Sequence, residues 1–522
     1  MSWIGEDFCT WKGVSCNNLT GHVIKLDLHI SVPSSFTEGS WKFEQSRLGG
    51  EINHSLLNLR HLNYVDLSGN DFSSVEFPSF LFSLQKLKYL DLSSAQFSGK
   101  VPHHFGNHSY LQYLDLSWNY FTADNLHFLS SLSSLKYLDL SNVDLSGAPN
   151  WLHSINMLPA LVELRLSICH LSNIPSLPHI NFTSLDVFDI QGNNLNSTIP
   201  LWLFNISNIK YLDLSENVFQ GSISSQMGNY NYLSFLDLSE NELEGEIPGT
   251  LRNLCSLIEL NLADNKFRGD ISGSFGSSSG CIQSNLKTLI LESNNFSGSL
   301  PGKLPQCWQK LPSLYVIDLA HNNLSGYIPK SMGSLGRLVS LHLENNNLQG
   351  SIPTSLKRLH VWTLDLSRNA LTGPIPSWIG ENISSLRIID VHSNMFGGEI
   401  PPELCVLEVL CILNLADNKM IGSIPPCFGN FTAMAFSELE FHDIWELYPS
   451  YDVMDYDEHA AAYVKGRQLE YTKTIRFLFS IDLSGNNFVG EIPQELTLLT
   501  RLRNLNLSRN YLKGHIPSKL AT

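Results

Sequence analysis

Leu62-Asn63-Tyr64-Val65-Asp66-Leu67-Ser68-Gly69-Asn70, Leu111-Gln112-Tyr113-Leu114-Asp115-Leu116-Ser117-Trp118-Asn119 and Leu233-Ser234-Phe235-Leu236-Asp237-Leu238-Ser239-Glu240-Asn241 are copies of one phrase. The copy at the far end runs Leu502-Arg503-Asn504-Leu505-Asn506-Leu507-Ser508-Arg509-Asn510. Aligned on the final Asn, the copies fall at positions 31, 70, 95, 119, 143, 169, 193, 217, 241, 265, 294, 322, 346, 369, 394, 418, 486 and 510. Asn is replaced only at Ser31, Ala95, Val143 and Cys169. Apolar residues alternating with period two predict one short strand per copy, leucines inward. The Asn amide is expected to satisfy backbone groups of the buried turn that follows, which would otherwise be costly. Because Ala95 and Val143 lack it, the loss of Asn70 is expected to be better tolerated than that of Asn241 or Asn265.

A second phrase follows many of these Asn residues: Gly245-Glu246-Ile247-Pro248, Gly326-Tyr327-Ile328-Pro329, Gly350-Ser351-Ile352-Pro353 and Gly490-Glu491-Ile492-Pro493. Gly permits a turn, Ile enters the core, and Pro denies the segment a regular ladder partner. The chain then returns over the outer side. This Leu-x-Gly-x-Ile-Pro phrase resembles the plant-specific class of leucine-rich repeats. The resemblance implies an α/β-type solenoid: a superhelix of about 18 repeats with a parallel concave sheet.

Two gaps break the period. One insertion lies near residues 33–46. The larger lies between Asn418 and Asn486, near 431–477, and is rich in acids and aromatics such as Asp443, Trp445, Tyr456 and Glu458. A disordered linker would lack those aromatics, so a folded island is expected. The start, Trp3 to Cys16, resembles the last part of the plant leucine-rich-repeat N-terminal cap. The run Lys465-Gly466-Arg467-Gln468-Leu469-Glu470-Tyr471 resembles the island of plant receptor-like proteins, notably the group similar to the fungal-xylanase immune receptor. The expected organisation is a partial cap over 1–22, a repeat block over 23–430, the island over 431–477 and a second repeat block over 478–522. The chain is also expected to be a fragment lacking signal peptide, C-terminal cap and membrane helix.

Charge and composition exclude other classes. The formal charge is −16, from 33 basic and 49 acidic residues, which argues against a nucleic-acid or anionic-membrane partner. No stretch approaches the roughly 18 apolar residues of a membrane helix. Gly276-Ser277-Ser278-Ser279-Gly280 fits a hydrolase elbow, but no helix follows it. His103, His104 and His108 have no partner cysteines at zinc spacing. The expectation is therefore no enzyme, no metal and no cofactor. Cys9 and Cys16 bracket the cap and read as a bridge. Cys255 with Cys281, and Cys405 with Cys427, resemble family bridges, the alternative being free buried thiols. Cys169 reads as a core thiol; Cys307 and Cys411 have no evident partner. Sequons begin at Asn18, Asn53, Asn107, Asn181, Asn196, Asn205, Asn295, Asn323, Asn382, Asn430 and Asn506 and fit a secreted, glycosylated protein.

Ligand recognition is expected where the repeats differ. Tyr64, Tyr89, Tyr113 and Tyr137 occupy four adjacent strands, with Trp118 alongside, and amphipathic aromatics are favoured anchors. The alternative is a self-stacking ladder that only stiffens the sheet. A second zone is acidic: Asp213, Glu216, Asp237, Glu240, Glu259 and Asp264. A third is basic and aromatic, with His321, His342, Trp362, Arg368 and Arg387. By resemblance, Lys465, Gly466, Glu470 and Tyr471 form the island motif. The resemblance implies the ligand-recognition ectodomain of a cell-surface receptor-like protein on the extracellular face of the plasma membrane, in immune or developmental signalling. It would bind a protein or peptide and signal through a partner receptor kinase. The alternative is a secreted inhibitor of microbial cell-wall-degrading enzymes, similar to polygalacturonase-inhibiting proteins.

Overall fold

Each Leu-x-Leu copy builds a strand of about three residues and then stops, because the next residues turn. A computed structural model describes residues 7–30, 47–102, 109–271, 281–282, 285–300, 308, 311–435, 456, 458–464 and 467–520. They form two compact units, Met1–Gly221 with Asn229–Glu242 and Ser222–Gly228 with Leu243–Thr522.

In the first unit the strands Tyr64–Asp66, Tyr89–Asp91, Tyr113–Asp115 and Tyr137–Asp139 pair in parallel and in register. Glu163–Arg165, Val187–Asp189, Tyr211–Asp213 and Phe235–Asp237 continue the same sheet. At its start Val14–Cys16 pairs antiparallel with Val23–Asp27, and Cys9 is bonded to Cys16. In the second unit the sheet runs from Glu259–Asn261 through Thr288–Ile290, Val316–Asp318, Ser340–His342, Thr363–Asp365, Ile388–Asp390, Ile412–Asn414 and Ser480–Asp482 to Asn504–Asn506. The strand pairing thus passes from Ile412–Asn414 directly to Ser480–Asp482, so the island is looped out of the sheet. Cys255–Cys281 and Cys405–Cys427 are bonded. Cys307 lies outside the described residues.

The second unit also carries a sheet that the Pro argument did not foresee. Lys266–Asp270, Asn295–Ser299, Asn323–Tyr327, Asn347–Gly350, Ala370–Gly373 and Met395–Gly398 pair in parallel. The donor-less Pro lies beyond the ladder, so pairing survives to the glycine or one residue past it, as at Ser299 and Tyr327. Several of these prolines then sit at the N-cap of a short 3-10 helix that carries the chain back, as Pro248, Pro329, Pro353 and Pro401 do.

The Asn ladder fills the buried turn. Asn70 Nδ2 donates to the Leu28 and Leu67 carbonyls at 2.9 and 2.8 Å, and its Oδ1 accepts from Leu48 N–H at 2.9 Å. Asn346 repeats this with Leu319 and Leu324, both at 2.9 Å. Asn70 and Asn265 are buried while Asn241 is half-buried, so burial gives no support to the expectation that Asn70 is the more expendable. Two of the substituted rungs are compensated locally. Ala95 N–H is taken by Asn119 Oδ1 at 3.2 Å, and Cys169 Sγ lies 3.1 Å from the Leu140 carbonyl, the place an Asn amide would fill. Cys169 is therefore a rung of the ladder as well as a core thiol.

Candidate functional site

Immediately before the ladder Asn, the backbone turns through the left-handed region. Gly69 takes φ +71° there, and a Cβ would lie 2.0 Å from the Ile30 carbonyl. Most repeats nevertheless hold a side chain at this position, at a cost of order 1–3 kcal/mol for a non-Gly residue. Trp118 (φ 55°), Glu216 (51°), Glu240 (50°), Asp264 (49°), His321 (52°) and Arg368 (52°) all sit here, and all six are exposed. The candidates from three separate zones thus share one structural position, which displays them outward. The sequence showed them only as variable.

The Asp column between the strand leucines is not free surface. Asp66, Asp115 and Asp213 are buried. Asp115 Oδ1 accepts from Ser117 N–H and Oγ–H at 2.9 and 2.6 Å, and Asp213 does the same with Ser215 at 3.0 and 2.6 Å. Burial, followed by the neighbouring carboxylates, pushes Asp115 up to about 8 and Asp213 up to about 7. Asp237 makes the same bonds to Ser239 while half-exposed. Glu259, in the second unit, is buried.

The four tyrosines do stack. Tyr64–Tyr89, Tyr89–Tyr113 and Tyr113–Tyr137 have ring centroids 4.1, 4.1 and 4.0 Å apart and planes within 13° of parallel. Tyr64 and Tyr89 hydroxyls reach Asp66 and Asp91 at 3.2 and 3.3 Å. On the next strand Glu163 takes the tyrosine position and pairs with Arg165 at 2.8 Å.

The second unit gathers a different set. The island strands Ala460–Val464 and Arg467–Tyr471 form an antiparallel hairpin. Ala460 and Ala462 are buried, and their small side chains permit close approach. Glu458 Oε1 meets His342 Nε2 at 2.7 Å and accepts from Ser340 Oγ at 3.2 Å. His459 Nε2 meets Asp318 Oδ2 at 3.1 Å, and its ring stacks on His342 at 4.3 Å. Arg368 donates to Gln468 of the hairpin and, through Nε, to His392 at 3.2 Å. Glu470 lies 3.6 Å from His459, and Tyr471 is half-buried. Lys465 and Gly466 lie outside the described residues, as does Asn107. The other sequons are exposed except at Asn506, which is half-buried and donates to Asp482 at 2.9 Å.

Between the hairpin and the sheet lies a cleft of about 290 Å³, lined by residues that include Glu292, Glu344, Asp365, Arg368, His392 and His459. Burial opposes charge on His342, but Glu344 and Glu458 raise it well above the usual imidazole range. Burial and His342 oppose charge on His459, yet Asp318 holds it up at about 9. Burial, then Asp318, pushes Glu292 up to about 8. Arg387 is buried with its guanidinium 3.6 Å over the Trp362 ring, so this pair packs rather than projects. Sequence reasoning missed Glu292, Glu344, Asp365, His392 and His459. The only available signal was that His342 departs from the Asp column.

Repeat, strand register and asparagine ladder define a leucine-rich-repeat protein. The Leucine rich repeat profiles match residues 60–121, 284–348, 312–371, 232–254, 256–278, 385–407, 409–431, 477–499 and 501–522. Within that class the chain is similar to plant receptor-like proteins. It is 36% identical to Receptor-like protein EIX1 and 41% to Receptor-like protein EIX2, both of Solanum lycopersicum. Each match spans 207 residues, 39% of this chain and 20% of the relative. Among solved structures it is similar to the ectodomain of the receptor kinase GASSHO1/SCHENGEN3 of Arabidopsis thaliana in complex with CASPARIAN STRIP INTEGRITY FACTOR 2. That match has a TM-score of 0.75 at 28% identity and covers 98% of this chain and 59% of that one. It is also similar to the Arabidopsis receptor kinase HAESA in complex with the peptide hormone IDA and the co-receptor SERK1. There the TM-score is 0.63 at 27% identity, covering 98% and 90% of the two chains. Among the described residues no helix is long and apolar enough to cross a membrane.

Proposed function

We propose that this chain is the ligand-recognition part of a cell-surface receptor-like protein in immune or developmental signalling, facing the cell exterior. It binds a protein or peptide without catalysis and signals through a partner receptor kinase. The observation that carries this reading is the island hairpin bonded to the second sheet beside a charge-lined cleft, with Arg368 in a displayed position bridging the two. A cleft walled by ionisable groups suits charged side chains or a terminus of a peptide better than an apolar small molecule. The peptide-bound ectodomains among its structural neighbours support the same reading.

The test uses the chain secreted from plant cells and challenged with extracellular peptide fractions. Cross-linking mass spectrometry is expected to place a bound peptide at Arg368, His321 and the 467–471 strand. Arg368→Glu is expected to weaken capture by at least tenfold. Binding confined to the convex side, or inhibition of a cell-wall-degrading enzyme with no peptide capture, would refute this function.

A further inference from the structure

The hydrogen bonds around His342 are one-sided. The imidazole is completely buried, and its Nε2 is engaged by Glu458 of the island at 2.7 Å. Among the described residues its Nδ1 has no hydrogen-bond partner, and neither does Oε2 of buried Glu344. These two atoms face each other at 3.5 Å. That exceeds the roughly 2.7–2.9 Å of a charge-assisted N–H···O bond. An atom bonded to both would fit the gap: metal–ligand bonds of about 2.1 Å at a tetrahedral angle place neighbouring ligands about 3.4 Å apart. A third donor is nearby. A carboxylate oxygen of Asp365 lies within 4.8 Å of the other two ligand atoms. Backbone register produces the arrangement, because Asp365 is the cross-strand partner of His342, and Glu344 lies two residues further along the same face.

We propose that His342 Nδ1, Glu344 Oε2 and Asp365 form a binding site for one divalent transition-metal ion of the zinc class, under the island. The donor set selects the ion. An imidazole nitrogen with two carboxylates suits zinc and its first-row neighbours, whereas calcium and magnesium take all-oxygen sets. The shell behind the histidine also fits. A metal-bound imidazole characteristically donates its other N–H to a carboxylate, and Glu458 occupies that place. Binding displaces the Nδ1 proton to solvent and leaves Nε2 as a fixed donor to Glu458, so the ion holds the island down through His342. Glu344 and Asp365 also line the cleft, which leaves the fourth coordination position on that side for water or a carboxylate of a bound peptide.

Two other groupings of similar composition do not carry the same weight. Asp318, His342 and His459 also offer ligand atoms within 4.8 Å of one another, but His459 Nε2 is already bonded to Asp318 at 3.1 Å and His342 Nε2 to Glu458. Asp27, His29 and Asp66 in the first unit are satisfied by Lys25 at 2.9 Å and by the bond between His29 and Asp27. The inference is independent of the receptor reading, since it concerns the island's attachment whatever the ligand.

The experiment titrates zinc chloride into the metal-stripped full chain by calorimetry. One equivalent is expected to bind. His342→Gln or Glu344→Gln is expected to weaken it at least 100-fold. Glu458→Gln should weaken it about 10–100-fold, the usual effect of losing an outer-shell partner, and His29→Gln should leave it unchanged. Excess calcium should not compete. Hydrogen exchange of the 460–471 hairpin should slow when zinc is added. Should a variant fail to fold, X-ray absorption of the cobalt-substituted wild-type chain decides: one nitrogen among oxygens is expected, and an all-oxygen or sulfur-containing shell overturns the site. Absence of one-to-one binding, or binding indifferent to both ligand substitutions, overturns it equally.

Discussion

At one repeat position the two units differ sharply. In the first unit the column between the strand leucines reads Asp66, Asp91, Asp115 and Asp139, is broken by Arg165, and resumes at Asp189, Asp213 and Asp237. In the second it reads Asn261, Ile290, Asp318, His342, Asp365, Asp390, Asn414, Asp482 and Asn506. The first column is largely self-sufficient. Most of its Asp residues are bonded by a Ser two residues on, and stacked tyrosines cover four adjacent strands. In the second, Ala320, Glu344 and His392 stand where those serines would be. Asp318 there finds its partner in His459 of the island, and Asp390 is bonded by His392 and Asn414 in place of a serine. A uniform column closes its own bonding; an irregular one leaves bonds that another segment can make. The position that looks like scaffold in one unit is therefore an attachment surface in the other.

Three measurements would break or sharpen this contrast. The largest effect is expected from Glu458→Ala, which leaves buried His342 without its island partner. Breaking a buried pair from one side costs about 3–5 kcal/mol. Protection of the 460–471 amides against hydrogen exchange should collapse while the first-unit strands stay protected. A hairpin that remains protected would mean that the island is held by something other than the irregular column.

Next come the asparagines, which the two units share. Asn119→Ala and Asn70→Ala should each cost about 1–3 kcal/mol by stranding buried backbone groups. Half-buried Asn241 should cost less, because water reaches the groups it frees. Urea midpoints of the three variants would order them; a harmless Asn70→Ala would show that the ladder is dispensable where the structure buries it most.

The smallest effect concerns the uniform column. Asp115 is raised to about 8 and Asp213 to about 7 by burial first and then by their like-charged neighbours. Below about pH 4 such a carboxyl is protonated whether folded or unfolded. Above that, the unfolded chain releases the proton while the folded chain keeps it up to the raised value. The folded state thus binds more protons, and stability falls as pH rises from about 4 to 8. Asp115→Asn removes this penalty. The stability of this variant relative to wild type should be higher at pH 8 than at pH 5. A difference independent of pH would mean that Asp115 is ionised in the fold and the column is less closed than its burial implies.

The sequence alone determined the repeat, the strand register, the inward leucines and the asparagine ladder. Their contacts recur at about the repeat spacing: Leu48 N–H to Asn70 spans 22 residues, and Leu243 N–H to Asn265 spans 22 again. A bond made many times at one interval leaves a periodic trace in composition. The island's bonds leave none. Glu458 meets His342 across 116 residues and His459 meets Asp318 across 141, each once, between segments of unlike pattern. The outward display of Trp118, Glu216 and Arg368 was equally hidden, because it depends on a left-handed backbone turn that their side-chain identities do not announce. Only the tertiary structure decided which acids are buried and which histidines are held charged, since both follow from what is folded on top of them.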